Sequence, residues 1–148
     1  MILDTDLLRL AEKLSLGTME SEWRCAVSRA YYAAFHRGRD LLQSLGFEPP
    51  RGELAHAYLW RRLQSCGNPS LGMAGSDLNQ LRGQRNRADY GLGGDVSHRT
   101  AMTAAETAAA IFQIIDALTP DDREAAIEII KAYERDVLRE STWRPRPR

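Results

Sequence analysis

The stretch from Glu20 to Leu45 constrains this chain more than any other part of it. Trp23, Val27, Ala30, Ala34 and Leu41 recur at helical spacing, so one long amphipathic helix is predicted. It must stop where it does: Gly46 suits the left-handed residue that follows a helix, and Pro49-Pro50 forbids a further turn. A helix of this length is a spine against which shorter helices pack. Nowhere do four or more residues alternate between apolar and polar as a half-buried strand requires.

The remaining elements follow from the same period and from local punctuation. Leu3, Leu7, Leu10, Ala11 and Leu14 predict a short first helix that ends near Gly17. A third helix is expected from about Gly52 to Cys66, followed by a loop, CGNPSLGMAGS, whose Gly, Pro and Asn oppose regular structure. Ser76 or Asp77 then caps a fourth helix that ends near Tyr90, because Gly91, Gly93 and Gly94 follow. Ser97 caps a fifth, alanine-rich helix from His98 to Leu118. Thr119-Pro120-Asp121-Asp122 combines an N-cap, a proline at N1 and two carboxylates at the positive helix end, and starts a sixth helix that continues to about Glu140. The expected architecture is an all-α antiparallel bundle of five to six helices in one domain, residues 1–140. A flexible, solvated Arg/Pro tail, residues 141–148, completes the chain.

Composition narrows the partners. Twenty basic residues balance twenty acidic ones, so no overall field holds the molecule on nucleic acid or an anionic membrane, and any anion site must be local. Eighteen of the basic residues are arginine, a bias that suits bidentate phosphate contacts but also follows from an arginine-rich codon usage. Two cysteines, Cys25 and Cys66, make neither a disulfide framework nor a metal set, which points to a reducing cytoplasm. The start, MILDTDLLRLAEKL, is amphipathic and acidic, with no basic export region and no apolar run of membrane-spanning length.

Two phrases carry the chemistry. SRAYYAAFH places Ser28, Tyr32, Phe35, His36 and Arg39 along one helix face, with Arg29 beside them, and LRGQRNRADYG sets Arg85, Asn86, Arg87, Asp89 and Tyr90 within two turns. Together and in this order they resemble the HEPN family of small helical prokaryotic proteins, over roughly residues 3 to 118. The resemblance implies a dimer whose two-chain cleft handles nucleotides or RNA. It also implies a neighbouring minimal nucleotidyltransferase, with the HEPN chain as toxin or substrate and the transferase as its neutraliser. Nuclease-competent relatives carry an arginine, a polar residue after it, and a histidine four to six positions further on. Arg85 and Asn86 fit, but Tyr90 stands at the first histidine position and Gly91 and Leu92 follow.

Metal-independent RNA cleavage needs a base for the ribose 2′-OH, an acid for the leaving 5′-oxygen and a cation for the phosphorane. Arg85 suits the cation, and the Asn86 amide can orient a phosphate or the hydroxyl. A phenol is a poor base, since a reference pKa near 10 leaves about one in a thousand ionised at pH 7, a handicap of roughly 4 kcal/mol. Two alternatives stand beside catalysis. Arg85 pairs with Asp89 at i+4 while Tyr90 packs against the bundle, or Tyr90 accepts a nucleotidyl group from the partner transferase, as a tyrosine near the motif does in some relatives.

Three histidines can restore a proton shuttle, and His36, on the face of Ser28 and Tyr32, stands first among them; it also reads as a core or capping residue. His56 reads as a helix-surface residue and His98 as a first-turn residue. None of the three has zinc-ligand spacing to another His, Cys, Asp or Glu, so neither a metal nor another cofactor is expected. Gly91, Gly93 and Gly94 follow a helix rather than a strand, which argues against a phosphate-binding loop. The expected function is a HEPN-type component of a toxin–antitoxin or defence system that acts as a metal-independent endoribonuclease if Tyr90 is competent. The alternative is a non-catalytic nucleotide- or RNA-binding module that regulates a partner transferase.

Overall fold

The long helix runs from Glu20–Ser44 in the computed structural model, which describes residues 1–147. In chain order the helices are α1 (Asp4–Ser15), α2 (Glu20–Ser44), α3 (Leu54–Gln64), α4 (Pro69–Tyr90), α5 (His98–Asp116) and α6 (Pro120–Tyr133). A single π-helical turn, Glu134–Leu138, continues α6. The fold is all-α, with no strand among the described residues beyond one isolated bridge between Phe47 and Trp143.

These residues group into two compact units instead of one even core. The first comprises Met1–Arg37 with Asp77–Gln113, and the second Gly38–Ser76 with the residues from Ile114 onward. The first unit is built on small residues: Ala26, Ala30, Ala33 and Ala34 of α2 and Ala101, Ala104 and Ala108 of α5 are buried. Alanine keeps its helix propensity while letting helix axes approach closely. Asp4 fastens α1 through an ion pair with Arg37 of α2 (2.9 Å), whose guanidinium lies 4.3 Å from the centre of the Phe112 ring. The entry to α2 is held by Glu22, which accepts hydrogen bonds from the Thr18 and Met19 backbone N–H groups.

The second unit is organised by a buried cation. Arg62 is 2% exposed and Glu134 1%. The Arg62 Nε donates to Glu134 Oε2 (2.8 Å) and its Nη2 to Glu140 Oε1 (2.6 Å), while its guanidinium stacks 3.5 Å over the Tyr58 ring. Glu134 also accepts from the Thr142 N–H (3.0 Å) and hydroxyl (2.5 Å). The π-helical turn and the left-handed residue Arg139 (φ 57°) bend the chain so that Glu134 and Glu140 both reach Arg62. Burial raises the Tyr58 phenol above its ordinary range.

Several boundaries differ from expectation for identifiable reasons. α4 begins at Pro69, seven residues before the predicted cap, because Asn68 Oδ1 accepts from the Leu71 N–H (3.1 Å) and Pro69 needs no donor at N1. The glycines that suggested a loop serve packing: a Cβ on Gly75 would lie 2.9 Å from Leu63 Cβ and 3.0 Å from the Trp60 carbonyl oxygen of α3. Within the expected tail, residues 141–148, a second correction applies to Thr142, Trp143 and Arg144, which are bonded to the residues that follow α2. Glu48 N–H donates to the Thr142 carbonyl (3.0 Å), Arg144 N–H to the Gly46 carbonyl (2.6 Å), and Trp143 Nε1 to the Leu45 carbonyl (3.1 Å). The last carbonyls of α2 are met locally, those of Leu41, Leu42 and Gln43 by the Leu45, Phe47 and Gly46 N–H groups, and the segment supplies donors to the Leu45 and Gly46 carbonyls that follow the helix. Arg148 lies outside the described residues.

Arg62→Ala should cost about 3–5 kcal/mol in urea denaturation, because it leaves Glu134 buried without its cation. Arg62→Met combined with Glu134→Leu should recover most of that loss; a single variant within about 1 kcal/mol of the parent would show that the network is dispensable.

Candidate functional site

The two sequence phrases meet within the first unit. α2 presents Ser28, Tyr31, Tyr32 and His36, and the last two turns of α4 present Arg85 and Asp89. Adjacent helical positions diverge by about 100°. Tyr31 is accordingly buried and Tyr32 half-buried.

Arg85 is the centre of this arrangement. It is only 5% exposed, and its guanidinium carbon lies 5.4 Å from the centre of the Tyr31 ring and 5.1 Å from that of Tyr32. Its Nε is buried and makes no hydrogen bond among the described residues. Aromatic faces stabilise a desolvated cation by about 2 kcal/mol, which does not match a paired carboxylate. The expected alternative of an Arg85–Asp89 ion pair is not formed: Asp89 Oδ2 accepts from the buried Ser28 hydroxyl (3.1 Å). Ser28 and Asp89 thereby join α2 to α4 beside the cation.

A row of rings leads from Arg85 toward solvent. Tyr32 and His36 lie 6.5 Å apart between ring centres, and Phe35 meets His36 edge-on at 5.3 Å. His36 is exposed, which removes its reading as a core residue. Tyr90 is 76% exposed, so it does not pack against the helices. Asn86, Arg87 and Arg29 are exposed as well. The other histidines lie elsewhere: His98 stacks on Trp23 (5.3 Å), and His56, expected on a helix surface, is buried in α3 of the second unit. Among the described residues no group of three or more His, Cys, Asp or Glu is placed to hold a metal ion. No single described helix is long and apolar enough to cross a membrane.

Two residues that sequence reasoning passed over shape the end of α4. Arg24 Nη1 donates to the carbonyls of Ala88 (2.9 Å) and Arg87 (3.3 Å) and approaches that of Gly91 (3.4 Å), and its Nη2 bonds the Gly94 carbonyl. Glu20 pairs with Arg24 (3.3 Å) and accepts from the Val96 N–H (2.7 Å), which holds its carboxyl below the usual range. The last carbonyls of a helix attract a cation, and Arg24 satisfies them from the neighbouring helix. Its position four residues before Ser28, hence on the same face of α2, was the available signal. A cavity of about 370 Å³ adjoins this end, lined in part by Val27, Gln84, Arg87, Asp95 and Thr100.

Arg24→Ala should loosen the turn after Tyr90. Amide exchange at Gly91 and Gly94 should rise at least tenfold and stability fall by about 2 kcal/mol, the scale of hydrogen bonds from a charged donor. Unchanged exchange there would show that the glycine turn holds itself.

A family model described as HEPN domain matches residues 6–118 of the chain. No curated protein and no solved structure matches it.

Proposed function

Since the chain belongs to the HEPN family and so has a general nucleotide- or RNA-related role, we propose that it is the RNA-handling component of a toxin–antitoxin or defence-type pair, and that its Arg85–Tyr90 segment binds RNA without cutting it. One observation carries the second half. The motif's cation is sequestered beneath two tyrosine rings, and a freely exposed phenol stands where nuclease-competent relatives have an imidazole. Cleavage needs both a proton acceptor and a cation that meets the phosphorane. Binding asks less: exposed Asn86 and Arg87 contact phosphate, while half-buried Tyr32 and exposed Tyr90 offer ring faces to a base.

The partner is a minimal nucleotidyltransferase, and the pair acts in the cytoplasm. A second copy of this chain completes the site across a two-fold axis, which leaves each protomer's His36 and Tyr32 facing the shared cleft. Light scattering at micromolar concentration should give twice the mass of one chain; a monomer at that concentration would remove the dimer from this reading.

A second reading, a metal-independent endoribonuclease, is favoured by His36, which is exposed and in ring contact with Tyr32. There the imidazole takes the 2′-OH proton, the oxygen attacks phosphorus while Arg85 meets the phosphorane charge, and the bond to the 5′-oxygen breaks as that oxygen takes a proton from the imidazolium, leaving a 2′,3′-cyclic phosphate. The two readings separate on a single-stranded RNA without added metal. Under the binding reading the RNA is retained and stays intact, and Arg85→Ala weakens retention; Tyr90→His then gains cleavage near neutral pH. Cleavage by the parent protein that His36→Ala and Arg85→Ala each reduce about a hundredfold would establish the nuclease instead. Tyr90→Phe reports on the hydroxyl: if it abolishes partner-dependent nucleotidyl transfer while stability holds, Tyr90 is the acceptor.

A further inference from the structure

In the second unit a cavity of about 650 Å³ opens between the C-terminal end of α2 and the segment that follows Thr142. Four arginines line it, Arg39, Arg51, Arg144 and Arg146, against one carboxylate, Glu48. In a molecule whose charges otherwise cancel, this is a local excess of three positive charges around one concavity.

The arginines are not there to satisfy the helix end. The Leu42 carbonyl accepts from the Phe47 N–H, the Leu45 carbonyl from Trp143 Nε1, and the Gly46 carbonyl from the Arg144 N–H. Nor are they committed to neighbouring side chains: the guanidinium groups of Arg39, Arg51 and Arg146 make no hydrogen bond or ion pair among the described residues. Only Arg144 is engaged, through long contacts to the Ser141 and Trp143 carbonyls (3.3 and 3.5 Å). Guanidinium groups gathered at a cavity with no protein acceptor have donors that face water and are open to an anion.

Their placement is fixed by packing. Gly46 has φ +103°, and a Cβ there would meet Trp143 Nε1 at 2.8 Å and Pro145 Cα at 3.3 Å, so only glycine lets the segment lie this close. Lys131 Nζ sits 4.0 Å from the centre of the Trp143 ring, and the Arg144 N–H bond to Gly46 sets the register. Pro145 and Pro147 restrict the backbone between and after the arginines. The groove is thus prepared before a ligand arrives, which lowers the entropic cost of binding.

We propose that this groove is an anion site for linked phosphoryl groups, as presented by an RNA backbone or by the triphosphate of a nucleotide. A single phosphate is held by one or two guanidinium forks, whereas four forks around a cavity of this size suit consecutive phosphates. The proposal does not depend on the Arg85 segment, with which the groove shares no residue.

The test combines two kinds of variant. Arg39→Gln/Arg51→Gln/Arg146→Gln removes only charges that hold nothing in the fold, and Trp143→Ala releases the segment without changing charge. Binding is read by anisotropy of a labelled 12-nucleotide single-stranded RNA and by titration with ATP and with inorganic triphosphate. The triple variant should weaken binding at least tenfold and reduce the salt slope by about 2, as expected for three lost contacts to a single strand. Trp143→Ala should weaken it several-fold, and Arg85→Ala should leave the salt-slope difference in place. Loss confined to the RNA identifies the backbone as ligand; loss confined to ATP and triphosphate identifies the nucleotide. Equal binding by parent and triple variant, no binding by either, or loss in the triple variant with none in Trp143→Ala would each overturn the site.

Discussion

Burying a guanidinium removes it from water at a cost of several kcal/mol, and three arginines among the described residues show three different ways of meeting it. Arg62 is surrounded by carboxylate oxygens and an aromatic face. Arg24 is spent on backbone carbonyls at the end of α4. Arg85 has only the faces of Tyr31 and Tyr32, with its Nε unbonded. The first two arrangements are complete and hold elements together. The third is incomplete, and incomplete satisfaction of a buried cation is what a site awaiting an anion has in common with a strained core.

This difference explains why Ser28 and Asp89 matter. Were Asp89 turned onto Arg85, the pair would be a structural bridge and the cation would have no capacity left. The Ser28 hydroxyl holds the carboxylate to α2 and keeps it from neutralising the guanidinium. The Arg24 clamp, one turn earlier on α2, fixes the last carbonyls of α4, so the exposed Asn86, Arg87 and Tyr90 project from a helix end that cannot fray freely.

What was legible in the sequence was local. Thr119 forms its capping box with Asp122, Ser97 accepts from the Thr100 N–H, and α2 stops at Ser44 before Gly46. Helical geometry divides Tyr31 from Tyr32, and the resemblance to the HEPN family implies that the two phrases share one cleft. The start of α4 had a local signal, the Asn68 cap and Pro69 at N1, while most other misreadings involve partners distant along the chain. Gly72 and Gly75 looked like loop residues because nothing near them reveals that α3 passes against Gly75. Arg62 and Glu134 are separated by 72 positions, and neither has a neighbour that marks it as buried. Trp143-Arg144-Pro145 has the composition of a solvated tail, and its order comes from bonds to the Leu45 and Gly46 carbonyls, about a hundred positions earlier in the chain.

That docking places a delay in the life of each new molecule. Leu45 leaves the ribosome 98 positions ahead of the tryptophan that caps its carbonyl. At about 5–20 residues per second the interval is on the order of 5–20 s, long against helix formation. Through that time the Leu45 and Gly46 carbonyls after α2 have water as their partner and Arg62 waits for Glu134. The first unit also needs residues as late as Gln113, but its main ties, Asp4 to Arg37 and Arg24 to the end of α4, are all available by Gly94. Synthesis therefore orders assembly: the Arg85 site can form while the chain is still attached, and the arginine groove is the last feature to take shape.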